Sequence, residues 1–214
     1  DKVVLVAVGG SGGVFPKVLE EALRGSKFFE DRVRDIVFPT EKIYGMSGCT
    51  RNVVSQLTDL VIRTAKKYPQ SRIFFVTQSF GGRAAAHTIC QRFENRKGES
   101  NEEKHPYLSS IEKIPETFGG IISCGYPLNH KSQDRSYILT RLKYPILFLV
   151  GSKDKRCDIE RLRNLTSSES MSSCDASLHV IDGGKHNAFD ITPKSKAAEI
   201  TEIALDKIEH FLFS

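Results

Sequence analysis

No stretch of this 214-residue sequence is apolar for long enough to cross a bilayer. The opening run, VVLVAV over residues 3–8, stops after six residues. A membrane helix needs about 20, and even the apolar core of a signal peptide is longer than this run. A membrane span is therefore excluded as an expectation. The chain starts at Asp1 and runs straight into a strand, as an excised or trimmed domain would, so a targeting signal upstream would not show in it. A basic block is missing as well. The net charge is +5, but basic and acidic side chains are interspersed, which describes a solvated surface. Nucleic acid is not an expected partner.

The cysteines lack the pairing that a disulfide framework or a zinc site needs. There are five, an odd count, at Cys49, Cys90, Cys124, Cys157 and Cys174. No two are spaced CxxC, and each falls in a different element. No metal site is expected. Reduced thiols suit a cytoplasmic or nuclear compartment. The sequon at Asn164 has no secretory context and reads as chance. Internal repeats are also missing.

What is present is the composition of an ordinary globular chain, 39% hydrophobic and 27% charged. The length suits one domain over residues 1–214. Short apolar runs bounded by turn residues predict strands at 3–8, 72–76, 119–125 and 144–150, with a weaker fifth at 32–38 and a sixth at 176–182. Near-continuous apolar strands are what a parallel sheet covered on both faces requires. Helical patterns lie between them at 16–24, 51–67, 82–95, 157–169 and 195–212. In the second of these, Val53, Val54, Leu57, Leu60, Val61 and Ala65 share a face. In the last, Ile200, Ile203, Ala204, Ile208 and Phe211 are expected to do the same. The alternation predicts an α/β fold with a mostly parallel, doubly wound sheet of about six strands. Residues 94–117 are charged and poor in apolar groups, and read as an exposed insertion.

In such a sheet ligands bind beyond the carboxyl ends of the strands, so the residues after each strand matter most. After the first strand comes GGSGGV, residues 9–14, a glycine cluster whose backbone N–H groups can approach an anion. A dinucleotide turn starting at Gly10 would need glycine where Phe15 stands. A P-loop ending at Gly184-Lys185 would need glycine where His179 stands. No cofactor is expected. The remaining readings are a plain tight turn or a loop donating an oxyanion-hole N–H from Ser11, with Gly10 as a pocket residue.

After the second strong strand comes Thr77-Gln78-Ser79-Phe80-Gly81, the G-x-S-x-G nucleophile elbow with threonine in first place. Residues two before and two after the serine come close together and should be small. The following helix aims its N-terminus at the site, and the Phe80 N–H is a natural oxyanion donor. A serine that merely caps a helix is the competing reading. Past the 144–150 strand lies Asp154, with Asp158 as a rival nearer the next helix. Past the last strand lies His186, in a glycine-flanked loop. Serine, acid and histidine in that order is the chain order of hydrolase triads. A serine hydroxyl needs a base, and the base needs a carboxylate to fix its tautomer. Tyr126 and Leu128, after the 119–125 strand, are expected to face the same mouth and line a substrate pocket. Cys124 reads as a core residue and His87 as a packed or solvated one, and His105, His130 and His179 lack partners at metal spacing.

The segments QSFGGRAAA, GGIISCGYPLNH, YPILFLVGSKDKRCD and IDGGKHNAF together resemble the alpha/beta-hydrolase-like domain family. Its members include the third subunit of the non-specific-lethal chromatin acetyltransferase complex and a testis-expressed hydrolase-like protein. The elbow alone is general to hydrolases, including dienelactone-hydrolase-like enzymes. The resemblance covers most of the chain and is weakest at 25–50 and 94–117. It implies an alpha/beta-hydrolase fold with Ser79, Asp154 and His186 as the triad and Ser11 at the oxyanion loop. Two local departures stand out: Thr77 replaces the usual elbow glycine, and Gly9-Gly10 opens the first loop where many hydrolases have His-Gly. The leading antiparallel strands of the full fold are absent. The expected function is a serine hydrolase acting on an ester, thioester or related acyl substrate through an acyl-enzyme. The alternative is an interaction module that keeps the fold and binds protein complex partners with little or no catalysis.

Overall fold

The computed structural model describes residues 2–39, 51–90, 113–129, 135–168, 171 and 174–214, the side chains of 51 and 52 aside. Cys49, His105, His130, the 91–95 end of the third expected helix and all but 113–117 of the expected insertion lie outside the described residues. The elements run β1 (Val3–Val8), α1 (Lys17–Arg24), α2 (Lys27–Arg32), β2 (Val33–Val37), α3 (Arg51–Lys67) and β3 (Arg72–Gln78). They continue α4 (Phe80–Ile89), β4 (Phe118–Cys124), β5 (Ile146–Gly151), α5 (Ile159–Ser167), β6 (Ala176–Ile181) and α6 (Ala197–Phe213).

The strands form one 6-stranded sheet in the order β2-β1-β3-β4-β5-β6, and every pair is parallel. Burial explains the apolar runs. β1, β4 and β5 are buried at every position, and β3 at all but Arg72. The edge strands β2 and β6 are only partly buried, which is why the 32–38 run reads as the weaker signal. The two-residue period of a strand splits the core in two. Val6, Phe75, Ile121 and Phe148 face α3, α4 and α5. Leu5, Phe74, Val76 and Ile122 face α1, α2 and α6.

α3 buries the face expected of it, with Thr58 and Thr64 turning their hydroxyls back onto the carbonyls of Val54 and Leu60. α6 differs. Its buried stripe is Ala204, Leu205, Ile208 and Leu212, whereas Ile203 is 45% exposed. The stripe follows an i, i+4, i+8 row with its neighbours, and Ile203 falls on the far side of it. α2 was not expected, because KFFEDR is too short to show a period.

β6 also carries His179, which burial, helped by Lys207, holds below its ordinary histidine range. Above about pH 6.5 the ring is neutral in both the folded and the unfolded chain and contributes no pH dependence. As pH falls through that value, the unfolded chain takes up the proton first, so stability drops. Replacing His179 with glutamine should flatten the acid-side fall in a series of urea midpoints taken across that range.

Candidate active site

The chain leaves β1 for the β2 edge and then returns to the other side of β1 as β3. The strand order therefore reverses between β1 and β3, and it is beyond the carboxyl ends of the strands at such a reversal that open α/β sheets bind ligands in a crevice. The turn of residues 10–13 stands on one side of it, closed by Gly13 N–H donating to Gly10 O at 2.8 Å. Ser79 stands on the other. A Cβ built on Gly10 would lie 3.7 Å from Ser79 Cβ, so Gly10 is the part of this loop placed against the elbow. Ser11 follows it with an exposed side chain.

Ser79 has φ 54° and ψ −115°, and no other described non-glycine residue has a positive φ. Such a conformation is disfavoured by about 1–3 kcal/mol and persists only where its surroundings enforce it. Here they do. Ser79 N–H donates to Cys124 O at 3.0 Å, and Ser79 O accepts from Gly82 N–H at 3.0 Å. The serine is pinned to β4 on one side and opens α4 on the other. Phe80 is the first residue of that helix, where an N–H has no acceptor within the helix.

The reason for small residues in the elbow differs from expectation. A Cβ on Gly81 would stand 2.5 Å from Val8 O and 2.6 Å from Gly9 O, so the end of β1 imposes the glycine. Thr77 is accommodated separately. Its hydroxyl donates to Ile122 O at 3.2 Å, and its neighbour across the turn is Gly82, whose Cβ would lie 3.2 Å from Thr77 Oγ1 and 2.5 Å from Ser123 Oγ. The second glycine of SFGG makes room first for the Ser123 hydroxyl and, less closely, for that of Thr77. Gly81→Ala should therefore cost about 2–3 kcal/mol, since backbone rather than a flexible side chain must give way. A shifted denaturation midpoint at unchanged m-value would show it.

Asp154, just beyond β5, has a fully buried carboxylate, and His186, in the loop after β6, has a ring 24% exposed. His186 Nδ1 lies 3.0 Å from both Asp154 oxygens, and His186 Nε2 lies 2.7 Å from Ser79 Oγ. Arg156 N–H donates to Asp154 Oδ1 at 2.8 Å and fixes the carboxylate from the other side. With the ring proton on Nδ1, the histidine donates to Asp154 and presents a free lone pair to the serine hydroxyl. Asp158 is occupied elsewhere. It is the N-cap of α5 and accepts the Arg161 N–H at 3.0 Å.

The two loops are stitched together. Lys153 N–H donates to Gly184 O at 2.8 Å, Ser152 N–H to Ile181 O at 2.9 Å, and Gly183 N–H to Ser152 Oγ at 2.8 Å. A Cβ on Gly151 would meet Gly184 O at 2.2 Å, so this glycine permits the close approach.

Tyr126 and Leu128 are not where they were expected. They are 0% and 1% exposed and belong to the α4-side core. Tyr126 packs edge-on to Phe148, and its hydroxyl donates to Arg135 O at 3.3 Å. The apolar bulk of the Tyr-Pro-Leu turn is used to fill the core rather than to form the mouth. Cys124 lies within β4, and burial pushes its thiol up to about 12, which leaves no thiolate nucleophile near neutral pH. Two residues that touch the histidine's main chain, Gln78 and Gly125, were not anticipated. The available signal was a polar amide ending an otherwise apolar strand.

The family profile described as an alpha/beta hydrolase domain matches residues 39–211. The chain belongs to that family. Among solved structures it is similar to the dienelactone hydrolase of Anabaena variabilis, at 13% identity over 99% of this chain and 87% of that one, with a TM-score of 0.60. It is also similar to an alpha/beta serine hydrolase without a lid from Xanthomonas campestris, at 14% identity over 100% and 86%, with a TM-score of 0.61. A thermophilic esterase of Thermogutta terrifontis is similar at 16% identity over 100% and 85%, with a TM-score of 0.60. At these identities the likeness shows the alpha/beta-hydrolase fold. No described helix is long and apolar enough to cross a membrane.

Proposed function

We propose that the chain is a serine hydrolase that cleaves an ester, thioester or related acyl bond through an acyl-enzyme. The observation that carries this reading is the unbroken relay from Asp154 through His186 to Ser79, with separations of 3.0 and 2.7 Å. Ser79 Oγ attacks the acyl carbon while His186 Nε2 takes its proton. The N–H groups of Phe80 and Ser11 stabilise the tetrahedral oxyanion, each donor contributing about 3–4 kcal/mol in comparable sites. The dipole of α4 favours the same negative charge. His186 then returns the proton to the leaving alcohol or thiol. A water, deprotonated by the same nitrogen, hydrolyses the Ser79 ester. Asp154 keeps the ring in the working tautomer and stabilises the imidazolium.

The narrower likeness, to the family of the non-specific-lethal subunit, is supported by QSFGGRAAA and GYPLNH. The described cysteines, Cys90, Cys124, Cys157 and Cys174, are free, which supports a reducing compartment, cytoplasmic or nuclear. One solved relative by fold, the Thermogutta esterase 2, has been seen phosphorylated by paraoxon, so organophosphorus reagents are natural probes. The purified protein should hydrolyse short-chain p-nitrophenyl esters and be labelled by a fluorophosphonate. Failure of the folded protein to do either would sink this reading.

A further inference from the structure

We propose that Gln78 is a positioning residue, whose side-chain amide clamps the main chain of His186 and so sets the distance between base and serine. The proposal rests on the reading of Ser79, His186 and Asp154 as the reacting group. Gln78 is the last residue of β3 and the immediate neighbour of Ser79. Strand alternation places it on the same face as Phe74 and Val76, whose side chains enter the α1 and α6 core. An apolar residue would suit that position. An amide stands there instead, 6% exposed.

Its Nε2 donates to His186 O at 2.9 Å, a contact between residues 108 apart in sequence. Its Oε1 is buried and has no protein donor among the described residues. Turning the amide over would set oxygen against oxygen, so the acceptor fixes the orientation. A buried acceptor without a donor lowers stability. On packing grounds alone, methionine would serve better. A local rule broken beside the reacting serine points to a gain in the site rather than in the fold.

The receiving surface is built for this contact. Gly125 has φ 62°, and a Cβ there would lie 2.1 Å from His186 O and 3.1 Å from Gln78 Nε2. The carbonyl and the amide meet over a bare Cα, which Gly125 N–H in turn anchors to Leu149 O at 2.8 Å. The histidine loop is tied to the acid loop through Gly184. Among the described hydrogen bonds, the Gln78 amide is the one that ties its main chain to the strand end carrying Ser79. Base and nucleophile are thereby held by two adjacent residues, the last of β3 and the one that follows it.

The test compares fluorophosphonate labelling rates and melting temperatures of the wild type, Gln78→Met, Gln78→Glu and Ser79→Ala. Gln78→Met should be labelled about 10- to 100-fold more slowly, as small misplacements of a base produce, with a melting temperature close to that of the wild type, since methionine removes the donorless Oε1 but leaves His186 O without its donor. A fall of less than about tenfold in the folded variant would overturn the proposal. Gln78→Glu keeps the length but donates only when protonated. Its rate relative to the wild type should rise as pH falls, and a flat ratio would equally overturn the clamp. Labelling of Ser79→Ala at the wild-type rate would remove the underlying hydrolase reading instead. A silent Ser79→Ala beside a fast Gln78→Met would remove the clamp alone.

Discussion

Alanine at position 79 should reduce kcat/KM for an ester substrate by about 10⁴- to 10⁶-fold, the usual consequence of removing a nucleophile that works as a unit with its base. Fluorophosphonate labelling should disappear with it. The melting temperature should barely move, because the hydroxyl is partly exposed and its described partner is His186. A second substitution separates chemistry from strain. Ser79→Gly should be equally inactive yet more stable by about 1 kcal/mol, since glycine adopts φ 54° without the steric penalty that serine bears there. Combining Ser79→Ala with His186→Ala should lower the rate no further than either change alone, because a base with no hydroxyl to activate contributes nothing. Near-wild-type turnover by Ser79→Ala would show that another group performs the attack.

The second large effect concerns the acid. Asp154→Asn should lower kcat by about 10⁴-fold while leaving substrate binding nearly unchanged. The asparagine amide can donate to Nδ1, which moves the ring proton to Nε2. A protonated Nε2 faces the serine oxygen as a donor and can no longer take its proton. The rate should recover at high pH more than the wild type's does, as hydroxide begins to compete for the serine proton. Asp158 supplies the contrast. Asp158→Ala should retain full turnover and lose about 1 kcal/mol of stability, the ordinary effect of removing a helix N-cap. Equal kinetic losses from the two substitutions would mean that the acid has been wrongly assigned.

These two aspartates show where sequence reading stops. Both follow β5 within a few residues, and both are acids in a loop. What separates them is the direction in which the chain turns. Asp154 N–H bonds back to Gly151 O at 2.9 Å, which curls the carboxylate inward towards the loop after β6. Asp158 has already reached the next helix. No local pattern encodes that difference, because it depends on where a loop some thirty positions later comes to rest.

The elbow is similar. The motif placed the serine at a strand-to-helix turn, but the motif's own logic assigned the need for Gly81 to Thr77. The carbonyls of Val8 and Gly9 impose it instead. They are the last residue of β1 and the one after it, some seventy positions earlier, and become neighbours only when β3 lies against β1. Tyr126 and Leu128 failed for a related reason. A position just past a strand end can turn towards the crevice or back into the core, and an aromatic side chain gains most by burial against Phe148.

The sequence by itself determined the alternation of strands and helices, the parallel character of the sheet, and the three loops in which serine, acid and histidine lie. Periodicity and turn chemistry are local properties, and they survive without tertiary contacts. The order of the strands, the choice of Asp154 over Asp158, the clamp between Gln78 and His186, and the placing of Tyr126 in the core were decided only on folding. Each depends on surfaces far apart in the chain meeting within a few ångströms, and distances of that kind are set by the packing of the whole sheet.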